Sequence, residues 1–276
     1  MLLLKSFLIS IASSKMAEVP AKKFCSSLGR EIKIAVEGNI AAGKSTFLKI
    51  LESHSTGYHV IGEPLSRWTN IPSDDEDVTS SQQYGSNLLD MFYKDPKRYA
   101  YTFQTYACLS RLRAQLRDIP QHLQSIPNPV IFYERSVYSD KFCFAQNCHE
   151  SGLINDVEWS VYCDWHSFLI KYLHLEFDGF IYLKSTPEVA MKRLKKRDRP
   201  EERGVTLDYL QSLHDKHNNW LIDNKTKLLP SVLQSDVPVL VIDCDEDFED
   251  SQENQKEILG KVDNFIDSIL KATNDT

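Results

Sequence analysis

The amino-acid sequence predicts an α/β fold in which a five-stranded parallel sheet lies between two layers of helices. Short apolar runs alternate along the chain with longer segments of helical periodicity, and a glycine-rich turn directly follows the first apolar run. Strands that alternate with helices pair in parallel through right-handed crossovers. Because such sheets bind ligands at the carboxyl ends of their strands, polar residues at those ends are the candidates for function.

The predicted elements follow in order along the chain. The five apolar runs predict strands at residues 32–36, 58–61, 130–133, 180–183 and 237–242. The third run is apolar without interruption, as is typical of a parallel strand covered on both faces. Helical spacing predicts helices at residues 44–53, 86–93, 98–116, 137–148, 157–172, 207–225 and 255–270. Pro187 opens one more helix at a position where proline is tolerated, and residues 70–77 predict a polar surface loop.

Composition limits the class of protein. The chain has 276 residues, a net charge of −7, 42% hydrophobic and 26% charged residues, which is ordinary for a soluble protein with a large core. With no internal repeat or low-complexity linker, we predict a single domain over residues 31–273. The acidic balance argues against a nucleic acid polymer as partner, and no stretch is long enough for a membrane span. The six cysteines lack zinc-site spacing, so we interpret them as buried thiols in a reducing compartment.

The first 30 residues are predicted to be a targeting or disordered segment outside the fold. Residues 1–15 are apolar and rich in serine, with two lysines and no acidic residue before Glu18. This pattern favours a mitochondrial presequence over a secretory signal, although there is no arginine before Arg30. Translation from Met16 is the alternative, and the protein would then be cytosolic.

The turn after the first strand carries the motif GNIAAGKS, from Gly38 to Ser45. It fits the phosphate-cradling pattern of two glycines followed by lysine and serine, and it lies between a predicted strand and helix. Backbone amides and the helix N-terminus attract phosphate oxygens, Lys44 reaches the β- and γ-phosphates, and the Ser45 hydroxyl binds Mg²⁺. The predicted phosphate site comprises Gly38, Asn39, Ile40, Ala41, Ala42, Gly43, Lys44, Ser45 and Thr46.

Charged residues follow the second and third strands at the same edge. Glu63 is placed to accept a proton from an attacking hydroxyl, and Glu134 and Arg135 can serve Mg²⁺ and the transferred phosphoryl group. Each alone would be interpreted as a surface residue, but three strand ends meet at one edge. The segment KRLKKRDRPEER at residues 192–203 could fold over a triphosphate through Arg193, Arg197 and Arg199.

Taken together these motifs resemble the deoxyribonucleoside kinases, in particular the deoxycytidine and deoxyguanosine kinase branch. The resemblance covers residues 32 to 270 through GNIAAGKS, EPLSRW at Glu63, YTFQTYACLSR at Tyr101, ERSVYSD at Glu134, the basic segment and DEDF at Asp245. It implies a three-layer P-loop kinase fold with a basic lid, and transfer of the γ-phosphate of ATP or UTP to the 5′-hydroxyl of a deoxynucleoside with Mg²⁺. It also implies a homodimer that packs through helices such as 98–116 and 157–172.

The resemblance further implies a role for each site residue. Glu63 would be the general base, Arg135 would stabilise the reacting phosphoryl group, and Glu134 would join Ser45 on the metal. The implied nucleoside site comprises Glu63, Trp68, Tyr93, Phe103, Gln104, Ala107, Arg111, Arg135, Asp140, Phe144 and Glu202. Gln104 would bind the base edge, Trp68, Phe103 and Phe144 would sandwich the base, and Tyr93 and Glu202 would bind the 3′-hydroxyl. The loop that contacts the donor's base would comprise Glu246, Asp247 and Phe248.

The resemblance implies the reaction but leaves more than one acceptor base open. Arg111 and Asp140 resemble the deoxycytidine and deoxyguanosine branch, and Ala107 favours the deoxycytidine enzyme. Two departures, Phe92 and Lys141, stand where relatives carry methionine and arginine. We therefore expect deoxycytidine and purine deoxynucleosides as acceptors, with a purine-restricted deoxyguanosine kinase as the alternative. A nucleoside monophosphate kinase and a non-catalytic nucleotide-binding scaffold are the remaining alternatives.

Overall fold

A computed structural model describes residues 30–70, 87–173, 175–223 and 237–274. These residues contain one parallel sheet of the strands β1 (Ile32–Gly38), β2 (Tyr58–Ile61), β3 (Val130–Glu134), β4 (Gly179–Lys184) and β5 (Val239–Asp243). The strand order is β2-β3-β1-β4-β5, so β1 is central and pairs with β3 and β4. The five predicted strands are confirmed, each within two residues of the predicted bounds.

Helices cover both faces of the sheet. The α-helices are α1 (Lys44–His54), α2 (Leu65–Thr69), α3 (Leu88–Lys94), α4 (Pro96–Gln115), α5 (Val137–Ser139), α6 (Gln146–Glu150), α7 (Asp156–Leu173), α8 (Pro187–Arg197), α9 (Leu207–Leu221) and α10 (Gln252–Asn274). Two short 3-10 helices lie at Gln121–Ser125 and Pro200–Gly204. The predicted three-layer arrangement is confirmed, and Pro187 opens α8 as expected.

The central strand is buried on both faces because its successive side chains point to opposite layers. Ile34 packs with Phe47 of α1 and Val262 of α10. Its neighbour Ala35 packs in a second apolar cluster that includes Trp220 of α9. Residues of β1 other than Lys33 are buried, so the turn that follows the strand starts from a rigid platform.

The helix predicted at residues 137–148 is divided in the structure. Helix α5 is followed by a π-helical segment, Asp140–Ala145, and then by α6. A π-helical segment adds one residue to a helical turn and is common at functional sites. Here it contains Asp140 and Phe144, both of which line the main cavity. The sequence spacing of apolar residues does not distinguish this turn from a regular α-helix.

The predicted helix 207–225 ends earlier than expected, at Leu221, where the Ile222 and Asp223 amides both donate to the Asn218 carbonyl. The predicted N-terminal segment and the loop at residues 70–77 lie outside the described residues, except for Arg30 and Asn70. Within the described ranges no helix is long and apolar enough to cross a membrane. The described cysteines, Cys108, Cys143, Cys148, Cys163 and Cys244, are free thiols, and all except Cys163 are buried.

Gly179, at the start of β4, is packed directly against α10. A Cβ atom at this position would lie 2.8 Å from Phe265 Cζ and 3.0 Å from Ile269 Cδ1. We therefore expect Gly179→Ala to lower the free energy of unfolding by about 1–3 kcal/mol, because the packed helix must move to accept the methyl group. Urea unfolding followed by circular dichroism measures this change.

The matched control is Gly260→Ala within α10, where an added Cβ meets no atom within 4 Å. This substitution should raise stability by about 0.5–1 kcal/mol, since alanine favours a helix over glycine. Equal stability of the two variants would contradict the packing argument for Gly179.

Candidate active site

The carboxyl ends of β1, β2 and β3 open into a cavity of about 870 Å³. Nearly all of the predicted site residues line it, from the phosphate loop to the basic segment after β4. Among those predicted, Gly38, Asn39 and Glu246 are not in its lining. The cavity is also lined by residues that were not among the predicted site residues, namely Leu65, Leu89, Phe92, Val189, Lys192, Lys196, Tyr209, Asp245 and Glu249.

The phosphate loop connects β1 to α1 as predicted. Gly38 and Gly43 have positive φ angles of 148° and 96°, and a Cβ at Gly38 would lie 2.6 Å from the Leu183 carbonyl oxygen. The loop therefore requires glycine at both of its ends. Ala41 also has a positive φ, 59°, which turns the chain at the loop's centre. Successive backbone amides in such a turn form a concave site for anions.

Lys44 lies buried under this loop. Its Nζ donates to the carbonyl oxygens of Asn39 at 2.7 Å and of Gly38 at 3.2 Å. Burial, together with the nearby Arg135 charge, lowers the pKa of Lys44 to about 7. A bound phosphate would restore its positive charge, because an anion favours the ammonium form. The lysine is thus already directed along the phosphate loop.

Glu63 lies between two arginines at the end of β2. Its Oε1 is 3.1 Å from Arg111 Nη2 and 3.2 Å from Arg135 Nε. Burial opposes ionisation of this carboxyl group, but the charges of Arg135, Arg111 and Lys44 outweigh it and lower the pKa of Glu63. Pro64 begins the following turn, and the Leu65 amide donates to the Glu63 carbonyl at 2.8 Å. The site therefore holds an ionised, partly accessible carboxylate beside the phosphate loop.

Arg111 connects Asp140, in the π-helical segment, to Glu63. Its Nε donates to Asp140 Oδ2 at 2.9 Å, and its Nη1 donates to the Glu134 carbonyl at 2.8 Å. Both side chains of the Arg111–Asp140 pair are nearly inaccessible to solvent. The guanidinium also lies 5.6 Å from the Trp68 ring centroid, within the range of a cation–π contact. Arg111 is therefore fixed on several sides before any ligand binds.

Arg135 follows β3 in a left-handed backbone conformation, with φ of 64°. Its Nη1 donates to the Gly38 carbonyl at 2.7 Å, and its guanidinium lies 4.6 Å from the Phe144 ring centroid. Arg135 thus connects Glu63 to the first glycine of the phosphate loop. The structure places Lys44, Glu63 and Arg135 together at one edge of the sheet, as the sequence predicts.

The predicted metal-binding residues also lie together. Ser45 Oγ donates to Glu134 Oε1 at 2.9 Å, and Glu134 Oε2 accepts from the Glu63 amide at 3.3 Å. A hydroxyl and a carboxylate oxygen this close suit Mg²⁺, which takes oxygen ligands and completes its shell with water and phosphate. In the described part of the chain, no group of three or more His, Cys, Asp or Glu side chains could hold a metal by protein ligands alone.

Aromatic rings form one wall of the inner cavity. Trp68 and Phe103 pack edge to face with centroids 5.5 Å apart, and Phe92 stacks on Phe103 at 4.8 Å. Phe92, which the sequence marked only as a departure, is therefore part of this wall. Gln104 is buried beside it, and its Nε2 donates to Cys148 Sγ at 3.7 Å. The remaining amide donor and acceptor of Gln104 are free to bind a polar edge of a planar ligand.

Two arginines of the basic segment, Arg197 and Arg199, bind Glu202. Arg197 Nη2 and Arg199 Nη1 donate to the Glu202 carboxylate at 2.5 Å and 2.9 Å. Burial, and secondarily the Glu202 charge, raises the pKa of Tyr93 well above its ordinary value. Tyr93 is therefore a neutral phenol, able to donate a hydrogen bond. These groups form a polar part of the cavity wall.

Arg193 differs from Arg197 and Arg199, because it holds the loop after β5. Its guanidinium donates to the Cys244 carbonyl at 2.6 Å and to the Glu246 carbonyl at 3.1 Å. Glu246 thus contacts Arg193 through its backbone carbonyl, while Asp247 and Phe248 line the cavity. A Cβ at Gly43 would lie 3.0 Å from Phe248 Cζ, so this loop packs closely on the phosphate loop.

Comparison with known proteins agrees with this geometry. The family model for deoxynucleoside kinases matches residues 34–267. The chain belongs to the deoxynucleoside kinase family. Among its relatives, deoxycytidine kinase 2 of Gallus gallus is 46% identical over 94% of this chain and 100% of its own length. The deoxycytidine kinase of Homo sapiens is 45% identical over 91% of this chain and 99% of its own.

A third relative belongs to the other branch. The mitochondrial deoxyguanosine kinase of Xenopus laevis is 40% identical over 85% of this chain and 89% of its own length. The predicted family and its P-loop kinase fold are thus confirmed, and this protein is a nucleoside kinase that transfers phosphate. The alternatives of a monophosphate kinase and of a non-catalytic scaffold are not supported.

The Arg111–Asp140 pair gives a test of the site's stability in this kinase. Asp140→Ala leaves a buried guanidinium without its main counter-charge, so we expect a loss of about 3 kcal/mol in the free energy of unfolding. The double variant Arg111→Met with Asp140→Ala should lose less than the sum of the two single variants, because it buries no unpaired charge. Denaturant unfolding of all four proteins measures the coupling, and additive losses would contradict it.

Proposed function

We propose that this kinase transfers the γ-phosphate of ATP or UTP to the 5′-hydroxyl of deoxycytidine and of purine deoxynucleosides. The observation that carries the proposal is the position of Glu63, an ionised carboxylate held between Arg111 and Arg135 at the edge of the phosphate loop. A neutral hydroxyl acceptor requires a base, and an ionised carboxylate within hydrogen-bond reach can supply one. An acceptor that already carried a phosphate would be repelled by it.

In this proposal, residues that follow different strands have separate roles in the reaction. Glu63 accepts the proton of the 5′-hydroxyl as the oxygen attacks the γ-phosphorus, and the bond to the leaving nucleoside diphosphate breaks. Arg135 and Lys44 stabilise the charge that spreads over the transferred phosphoryl group. Ser45 and Glu134 would hold Mg²⁺, which when bound neutralises phosphate charge. Arg193, Arg197 and Arg199 complete the cationic surroundings of the donor.

The proposed acceptor site uses the aromatic wall and the buried polar groups. Trp68, Phe103 and Phe144 contact the base, and Gln104 with the Arg111–Asp140 pair contacts its polar edge. Tyr93 and Glu202 bind the sugar's 3′-hydroxyl. The names of two relatives, deoxycytidine kinases at 45–46% identity, support deoxycytidine as an acceptor. The deoxyguanosine kinase relative at 40% identity keeps purine-restricted activity as the second candidate.

We further propose that the kinase is a homodimer. Helix α7 carries exposed apolar residues at Val157, Val161, Phe168 and Tyr172, and Leu109 of α4 and Leu116, directly after α4, are also exposed. On α7 these residues recur at helical spacing, so they form one apolar stripe. A surface of this kind is typical of a protein interface. For its location in the cell, the N-terminal sequence favours mitochondria, with the cytosol as the alternative if translation starts at Met16.

The base assignment is tested by Glu63→Gln, which keeps the size of the side chain and removes its charge. We expect kcat to fall by about 10²–10⁴-fold, while the dissociation constant for the nucleoside changes only a few-fold. Glu52→Gln, a charge-neutralising change at an exposed position of α1, serves as the control. Turnover of the Glu63→Gln variant near the wild-type value would rule out Glu63 as the base.

The choice of acceptor is tested with protein starting at Met16, ATP and Mg²⁺. Steady-state phosphorylation of deoxycytidine, deoxyguanosine, deoxyadenosine and thymidine should give turnover for the first three. We expect kcat/KM for thymidine to be lower by at least about 10-fold, because Arg111 and Asp140 occupy the base pocket. Purine-only turnover would favour the second candidate, and efficient thymidine turnover would contradict both.

Self-association is tested by sedimentation velocity. Phe168→Asp places a charge in the middle of the α7 stripe and should shift the protein towards the monomer, since a buried unpaired charge is costly. Gln252→Asp, with the same change in charge at an exposed position of α10, should leave the dimer unchanged. A monomeric wild-type protein would contradict the proposed dimer.

A further inference from the structure

The turn after β3 donates hydrogen bonds to three successive residues at the end of β1, namely Val36, Glu37 and Gly38. The Arg135 amide donates to the Val36 carbonyl at 3.0 Å. Ser136 Oγ donates to Glu37 Oε1 at 2.6 Å. Arg135 Nη1 then donates to the Gly38 carbonyl at 2.7 Å. Two of these three contacts use the backbone of β1, and only the middle one depends on a side chain of that strand.

This turn needs such support because Arg135 has a φ of 64°. For a residue with a Cβ, the left-handed region is sterically unfavourable. A residue stays there only where the surrounding structure holds it, and such residues cluster at functional sites. The conformation directs the guanidinium back over the phosphate loop, so losing it would move Arg135 away from Glu63.

Glu37 is an unusual choice for its position. Its side chain is completely buried, and its Oε2 has no hydrogen-bond partner among the described residues. Burial raises the pKa of Glu37, although the Arg135 charge and the bonds from Ser136 and Ser139 oppose the change. An apolar side chain of the same size would avoid the cost of burying a carboxyl group. Unlike an apolar side chain, the carboxyl group accepts a hydrogen bond from Ser136.

The direction of that contact follows from the other bonds of Ser136. Its Oγ accepts from the amides of Tyr138 and Ser139, at 3.3 Å and 3.4 Å, and so caps α5. A hydroxyl has one proton, and both amides are donors, so the proton is directed to Glu37. Position 37 must therefore supply an acceptor. Through Ser136 this acceptor connects β1 to the start of α5 and fixes the residue directly after Arg135.

We propose that Glu37 is a positioning residue for catalysis, which holds Arg135 in its left-handed conformation by anchoring Ser136. This inference rests on the role proposed above for Arg135 in phosphoryl transfer. Glu37 does not line the cavity and so is not expected to touch either substrate. Its loss should therefore affect turnover much more than substrate binding.

The test compares Glu37→Leu, which removes the acceptor at similar volume, with Glu37→Gln, which keeps one. We expect Glu37→Leu to lower kcat by about 10- to 100-fold, because a misplaced catalytic group costs this much. KM for nucleoside and ATP should change less than about 3-fold. Glu37→Gln should recover most of the lost turnover. Ile34→Ala, a destabilising change at another buried residue of β1, should leave kcat near wild type well below its melting temperature.

A double-variant cycle separates positioning from a merely structural role. If Glu37 acts through Arg135, then adding Glu37→Leu to Arg135→Ala should lower kcat further by less than about 2-fold. An equal loss in both backgrounds, or wild-type kcat in Glu37→Leu, would overturn the proposal. Wild-type kcat in Arg135→Ala would instead refute the role proposed for Arg135 in the reaction.

A crystal structure of the Glu37→Leu protein gives a readout that does not depend on turnover. We expect residue 135 to leave the left-handed region and its contact with the Gly38 carbonyl to be lost. An unchanged Arg135 would overturn the proposal whatever the kinetics show. Should Glu37→Leu fail to fold, Ser136→Ala removes the donor of the same hydrogen bond and is expected to give the same kinetic and structural changes.

Discussion

One carboxylate oxygen, Oε1 of Glu63, lies between two guanidinium groups that reach it from different elements, and the rest of the site depends on this contact. Arg111 comes from the C-terminal part of α4 and Arg135 from the turn after β3. Charges this deeply placed are tolerated only when they are paired and hydrogen-bonded. Asp140 supplies the second counter-charge for Arg111, and the Gly38 carbonyl supplies a further acceptor for Arg135. Asp140, Glu63 and the phosphate loop are thereby joined in one continuous network.

The parallel sheet explains why these groups can meet. Each strand ends at the same edge, and each crossover helix returns the chain to the opposite edge, so residues distant in the sequence become neighbours. The register of β1 with β3 pairs Val36 with Glu134, which brings the turn after β3 beside the start of the phosphate loop. The loop after β5 closes the same edge through Phe248, which packs on Gly43. The proposed donor and acceptor sites therefore share one rigid frame, as the transfer of a phosphoryl group requires.

Much of this arrangement was predictable from the sequence. The apolar runs predicted the strands. The charged residues that follow two of these runs, Glu63 after one and Glu134 with Arg135 after the other, predicted the edge of the sheet that carries the site. The motif GNIAAGKS predicted the phosphate loop. The π-helical segment was not predictable, because it keeps the apolar spacing of an α-helix while shifting Asp140 and Phe144 into the cavity. The stacking of Phe92 on Phe103 and the contact between Arg193 and the loop after β5 depend on tertiary packing, which local patterns do not encode. The sequence did not single out Glu37, because it directly follows the predicted strand 32–36, and its buried contact with Ser136 depends on tertiary packing.

The central claim is that the two arginines keep Glu63 ionised and in place. The most direct measurement is the pKa of the Glu63 carboxyl group, followed by carbon-13 NMR in the wild-type protein and in Arg111→Gln. In the wild type we expect a pKa below the ordinary value for glutamate. Removing the Arg111 charge should raise it, because less positive charge then opposes the effect of burial. The acidic limb of the kcat/KM profile should move to higher pH in parallel. A wild-type pKa above the ordinary value, or one that does not respond to Arg111→Gln, would contradict the account.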